Sequence, residues 1–160
     1  MVENKKLIYR YLSEISDPEI PVINIVEMGV VRDVLFHGSK LEIKLTPTYS
    51  GCPAMDMIHQ LVEEKLHSNG YNSVEVTLVY KPAWTTDWMS NETKEKLRRY
   101  GIAPPIAVVS KKTLLNNEHV SCPQCGSKNT EIKSMFGSTA CKALYVCKKC
   151  LEPFDYFKCI

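Results

Sequence analysis

The sequence has no run approaching the roughly 18 apolar residues that a membrane-spanning helix needs. Its opening, Met1-Val2-Glu3-Asn4-Lys5-Lys6, lacks the apolar core of a secretory signal. The chain is therefore expected in a reducing cytoplasm, away from membranes, where structural disulfides are rare. A dominant charge of one sign is also missing: 20 Lys and Arg face 18 Asp and Glu, a net +2. The only asymmetry lies in residues 120–160, where six lysines meet three acidic side chains. That excess is thin for tracking phosphates, so no nucleic-acid partner is expected. The four histidines have no metal-ligand spacing, and His59 and His67, eight apart, read as surface or packing residues. No internal repeat and no low-complexity tract is visible. With 44% apolar and 24% charged residues, wholesale disorder is excluded.

What the chain does have is seven cysteines. In a reducing compartment metal binding is the leading explanation. Cys122-Pro123-Gln124-Cys125-Gly126 and Cys147-Lys148-Lys149-Cys150 are two C-x-x-C pairs with 21 residues between them. Each pair, set at a tight turn, points two sulfurs at one ion, and two such turns complete a tetrahedral thiolate site. The metal is expected to be zinc, with iron as the alternative, because tetrahedral sulfur suits both. Four thiolates leave no open position for a substrate, so its role should be structural.

Apolar spacing sets out the rest. Ile8, Tyr11, Leu12 and Ile15 predict an amphipathic first helix over 5–15, which Asp17-Pro18-Glu19-Ile20-Pro21 breaks. Val30 to Phe36 reads as a strand, His37-Gly38-Ser39-Lys40 as a turn, and Leu41, Ile43 and Leu45 as a half-buried return strand. Met55, Ile58, Leu61, Val62 and Leu66 predict a second helix that starts at Pro53 and stops at Asn69-Gly70. Val74, Val76, Leu78 and Tyr80 give a third strand, and a short helix should run from Thr86 or Asp87 to Gly101. The expected fold class is α+β: a small α-β-β-α-β-α sandwich over 1–101, a linker over 102–119 and a zinc-ribbon-like module over 120–160.

The other three cysteines are less determined. Cys52 precedes the second helix, whose N–H groups and dipole favour a thiolate. The alternative is a small apolar residue at a helix end. Gly51 removes bulk beside it. Asp17 and Glu19 either approach the same end of the sandwich or merely cap a turn. Cys141 and Cys159 could join Cys52 in a three-thiolate iron–sulfur site, or be ordinary buried thiols. Trp84 and Trp88 read as core anchors more readily than as a ligand site, and Tyr145, Phe154, Tyr156 and Phe157 should pack the ribbon or dock it.

Several of these stretches also form a recognisable set. Asp17-Pro18-Glu19-Ile20-Pro21, Gly29-Val30-Val31 and Thr46-Pro47-Thr48-Tyr49-Ser50-Gly51-Cys52-Pro53-Ala54-Met55 resemble the small iron–sulfur assembly domain family that includes SufT. Pro82-Ala83-Trp84-Thr85-Thr86-Asp87-Trp88, Tyr100-Gly101-Ile102-Ala103-Pro104-Pro105, Phe136-Gly137-Ser138-Thr139-Ala140-Cys141-Lys142-Ala143-Leu144-Tyr145 and the ending Glu152 to Ile160 narrow the likeness to the PaaD (or PaaJ) family of phenylacetate degradation. The resemblance implies a non-catalytic accessory protein of the phenylacetyl-CoA epoxidase system. Its reactive cysteine would be Cys52. Its partners would be the oxygenase and the reductase, the latter a natural iron–sulfur client, and a transient iron–sulfur cluster would join zinc as a bound group. A structural subunit of the epoxidase, or a thiol enzyme with Cys52 as nucleophile, are the competing expectations.

Overall fold

The computed structural model describes residues 2–105 and 120–158. Its contacts divide the chain into two compact units, Met1–Trp84 and Thr85–Ile160.

In the first unit the order is α1 (Val2–Leu12), β1 (Val31–His37), β2 (Lys40–Leu45), α2 (Ala54–Ser68) and β3 (Val74–Leu78). The strands form one sheet in the order β1-β2-β3. The hairpin β1–β2 is antiparallel, with Val34 opposite Ile43 and Phe36 opposite Leu41, whereas β2 and β3 run parallel, as the α2 crossover requires. Alternation gives this sheet its two faces. Val34, Leu41, Ile43 and Leu45 are buried together with Ile8 and Leu12 of α1 and Ile58, Val62 and Leu66 of α2. The opposite side carries polar pairs, His37 with Glu42 at 2.9 Å and Lys40 with Glu75 at 2.9 Å. Between α1 and β1 the chain is held by side-chain caps. Asp17 Oδ1 accepts from the N–H groups of Glu19 (2.9 Å) and Ile20 (2.8 Å), and Asn24 Oδ1 from those of Val26 (3.0 Å) and Glu27 (2.9 Å). Trp84 is buried and donates from Nε1 to the Met28 carbonyl at 2.9 Å, the core-anchor role expected of it.

The second unit holds a one-turn 3-10 helix (Thr86–Trp88), α3 (Asn91–Tyr100), β4 (Ile102–Ala103), β5 (Thr130–Ser134), β6 (Lys142–Cys147) and β7 (Pro153–Phe157). The single helix expected over 86–101 is thus two. Ser90 takes an extended backbone and caps α3 through its hydroxyl, which accepts from the Thr93 N–H at 3.1 Å, so the first turn cannot run on. Gly101, in the left-handed region at φ 94°, ends α3. The four strands form a second sheet in the order β4-β7-β6-β5. Ile102 and Ala103, placed in the linker by the sequence, pair parallel with Asp155 and Tyr156, and Ala103 lies in one buried cluster with Val120, Cys122, Ala143, Cys147, Phe154 and Tyr156. Residues 85–103, most of which the sequence pattern groups with the sandwich, are therefore built into the same unit as the ribbon. The rest of the expected linker, 106–119, lies outside the described residues. Tyr145 stacks on Phe154 at 5.8 Å and meets Tyr156 edge-on at 5.7 Å, so these aromatics pack the ribbon itself.

Candidate metal centre and the Cys52 turn

The two C-x-x-C turns repeat one another bond for bond. In the first, the Gly126 N–H donates to the Cys122 carbonyl (2.9 Å) and the Cys122 N–H to the Ser127 carbonyl (2.9 Å). In the second, the Leu151 N–H donates to the Cys147 carbonyl (2.9 Å) and the Cys147 N–H to the Glu152 carbonyl (3.0 Å). Each turn closes through a residue at positive φ, Gly126 at 71° and Leu151 at 67°. Glycine meets that demand freely in the first turn; in the second a leucine, 76% exposed, carries the strain. Replacing Leu151 by glycine should raise the ribbon's stability by up to about 1 kcal/mol, and Gly126→Ala should lower it by about 1–2 kcal/mol. Denaturant melts of the metal-loaded variants would show the two opposite signs.

The turns bring all four sulfurs within 4.8 Å of one another. Cys122 Sγ lies 3.7 Å from Cys150 Sγ, and Cys125 Sγ 3.6 Å from Cys147 Sγ. A regular tetrahedron around zinc at about 2.3 Å sets its sulfurs about 3.8 Å apart. The spacing therefore fits a tetrahedral ion, and it is far longer than the roughly 2.05 Å of a disulfide. The N–H groups of Lys149 (3.4 Å) and Cys150 (3.5 Å) point at Cys147 Sγ. Led by the Cys150 N–H, these bonds lower the Cys147 thiol to about 6. Cys150 is pushed up to about 12: the Glu152 N–H opposes that direction, but desolvation and the crowding of Cys125, Cys147 and Cys122 outweigh it. Four thiolates crowded this closely would call for a dication to balance their charge. With Cys122, Cys125, Cys147 and Cys150 all engaged, the ion would have no open position, which makes its contribution structural.

Cys52 sits at the end of the 46–53 loop, where Gly51 takes φ 82° and Pro53 forms the N-terminal boundary of α2. A Cβ on Gly51 would meet nothing within 4 Å, so the glycine is there for its backbone conformation and not for space. The thiol is half-buried. Burial pushes it above its ordinary value; the Ala54 N–H pulls the other way, the Glu19 charge adds to the rise, the Tyr49 hydroxyl opposes it, and the Asp17 charge adds again. The structure thus brings Asp17 and Glu19 into electrostatic reach of Cys52. It also reverses the expected thiolate: desolvation and two carboxylates outweigh the helix end. Alkylation of Cys52 by iodoacetamide should accelerate only on the alkaline side of the usual cysteine range. Glu19→Gln should move that rise to lower pH, whereas an unchanged profile would remove the carboxylate from the account. Sequence reasoning missed Thr46, whose fully buried hydroxyl has no hydrogen-bond partner among the described residues; only its position at the start of the same loop could have flagged it.

Cys141 is buried in the second unit, its sulfur 3.0 Å from the Thr139 hydroxyl. Cys52 belongs to the other unit, and Cys159 lies outside the described residues. The expected three-thiolate site, which needs Cys159, thus lies outside the described residues; among those, the one group of three or more candidate ligands is the ribbon quartet.

Known proteins divide along the same line. Residues 5–78 match the family described as an iron–sulfur cluster assembly protein, and residues 107–158 match the PaaD zinc beta ribbon domain. The chain is 33% identical over 98 residues, 60% of its length and 92% of the relative's, to an Fe-S protein maturation auxiliary factor of Porphyromonas gingivalis. A crystal structure of a domain of unknown function from Bacillus anthracis superposes with a TM-score of 0.54 at 32% identity, covering 58% of this chain and 90% of that one. Over 153 residues, 96% of this chain and 92% of the relative, it is 50% identical to a putative 1,2-phenylacetyl-CoA epoxidase subunit of Escherichia coli. With both domain models matched in order and that identity sustained almost end to end, the chain belongs to the PaaD-like family, in which an iron–sulfur cluster assembly domain is followed by a zinc ribbon.

Proposed function

We propose that this chain is a non-catalytic accessory protein of a phenylacetyl-CoA epoxidase system, and that it assists delivery of iron or an iron–sulfur cluster to the oxygenase or reductase. The observation that carries the reading is the pairing, in one chain, of an assembly-type domain shared with maturation factors and a ribbon shared with an epoxidase component. Cys52 is the residue assigned to the cargo. A half-buried thiol flanked by the charges of Asp17 and Glu19 stays protonated when empty and ionises on meeting a metal, whose positive charge the carboxylates help to hold. That suits transient holding better than a permanently reactive nucleophile does. The ribbon would serve as a rigid, metal-set surface for the client.

The test is metal and acid-labile sulfide per chain on anaerobically purified protein, wild type beside Cys52→Ser. Sulfide present in the first and lost in the second supports the carrier role. No sulfide in either, with zinc intact in both, would leave a different reading: a structural component of the epoxidase, which the naming of the E. coli relative as a putative part of that enzyme favours. Stoichiometric co-purification with the oxygenase would then be expected.

A further inference from the structure

Of the described cysteines, Cys125 is the one exposed to solvent. Its fellow ribbon cysteines are shielded: Cys122 is 2% and Cys147 0% exposed, and Cys150 is half-buried. Elsewhere Cys52 is half-buried and Cys141 buried. The Cys125 sulfur has a close neighbour on the opposite turn, Cys147 Sγ at 3.6 Å, and the remaining two sulfurs, Cys122 and Cys150, form a matching pair at 3.7 Å. A disulfide bond of about 2.05 Å needs each pair to close by only about 1.6 Å. A surface cysteine beside a buried resolving cysteine is the arrangement that oxidises selectively and reversibly.

We propose that Cys125 is an oxidation site and Cys147 its resolving partner, so that a hydroperoxide opens the metal centre and leaves a Cys125–Cys147 disulfide across the two turns. The inference rests on the four-thiolate centre and is independent of any part Cys52 plays in cluster delivery. In the first step the Cys125 sulfur attacks one peroxide oxygen and the O–O bond breaks. Cys125 becomes a sulfenic acid, and the other oxygen leaves as water or an alcohol after taking a proton. In the second, the Cys147 thiolate attacks the Cys125 sulfur, the S–O bond breaks, and the departing hydroxide is protonated to water. Two thiolates have lost two electrons and the peroxide has gained them. The ion, left with two of its four sulfurs, dissociates, and a second equivalent of peroxide can join Cys122 to Cys150. A dithiol reductant and fresh metal reverse the sequence.

The site also selects its own order of events. Attack at Cys147 first is blocked by its burial, and Cys52 is a poor competitor because burial and two carboxylates keep its thiol protonated. The experiment uses the full chain loaded with zinc and treated with hydrogen peroxide. It follows zinc release with a chromogenic chelator and maps linked peptides without reduction. A second sample carries Cys52→Ser, Cys141→Ser and Cys159→Ser, so that only the quartet can react. In both, about one zinc per chain should be released in step with a Cys125–Cys147 linked peptide, and dithiol plus zinc should restore the starting material. Zinc retained while Cys52 is oxidised in the wild-type chain would overturn the proposal. So would a main product linking Cys122 to Cys125 within one turn.

Discussion

Removing the metal is expected to unfold residues 85–158 and to leave residues 1–84 folded. The metal ties together the two turns on which the ribbon strands depend. One buried cluster of the second unit, among the described residues, has seven side chains, two of which, Cys122 and Cys147, are themselves ligands. A module of this size rarely closes its core without a staple, whereas four-ligand zinc sites contribute apparent binding energies of about 10–16 kcal/mol at neutral pH. Losing the ion should therefore release β5, β6 and β7, and β4 with them because its strand partner among the described residues is β7. The check is limited proteolysis with mass readout before and after chelation. A resistant fragment ending near Trp84 is the expected product. One ending near Gly101 would show that α3 holds without the ribbon, and resistance across 120–158 in the metal-free chain would sink the staple altogether. Cys147→Ser should reproduce the chelated pattern, since it deletes the sulfur that the Lys149 and Cys150 N–H groups hold in place.

The second large effect concerns Cys52→Ser. On the proposed delivery role, cluster occupancy of an epoxidase reductase should fall severalfold in a strain carrying this change, while this chain keeps its melting temperature and its ribbon metal. The fold should tolerate the change because the loop is fixed by backbone features, the left-handed Gly51, the Cys52 N–H bonded to the Tyr49 carbonyl and the Met55 N–H bonded to the Cys52 carbonyl, none of which needs the sulfur. Normal occupancy with the variant would remove Cys52 from the delivery step. Thr46→Val is the natural companion. Its hydroxyl is buried without a hydrogen-bond partner among the described residues, so losing it should be neutral or slightly stabilising to the fold. A loss of occupancy with that variant would then point to a use for the hydroxyl in the loop.

The sandwich was largely legible because its signals are local and periodic. Ile8 and Leu12 share one face of α1, Leu41, Ile43 and Leu45 alternate along β2, and Met55, Ile58, Val62 and Leu66 stripe α2, all buried; Tyr11 and Leu61 of the expected sets lie at the edge and stay partly exposed. The metal quartet was legible for a related reason, since C-x-x-C fixes two ligands within one turn. What the sequence hid was long-range. Ile102-Ala103 is too short to carry a pattern, and only Asp155 and Tyr156, some fifty residues on, make it a strand. For Cys52 the sequence left a helix-end thiolate and a small apolar residue both open, because its desolvation and the approach of Asp17 and Glu19 depend on how the 13–30 stretch is turned back by its caps.

That two-residue strand also changes what residues 106–119 connect. Pro105 and Val120, which bound them, belong to the same compact unit, one following a strand paired with β7 and the other packed in the cluster that β4 shares. The connection starts and finishes on a single body. A chain nicked within it would keep its halves together as complementing pieces, stitched by β4 and β7.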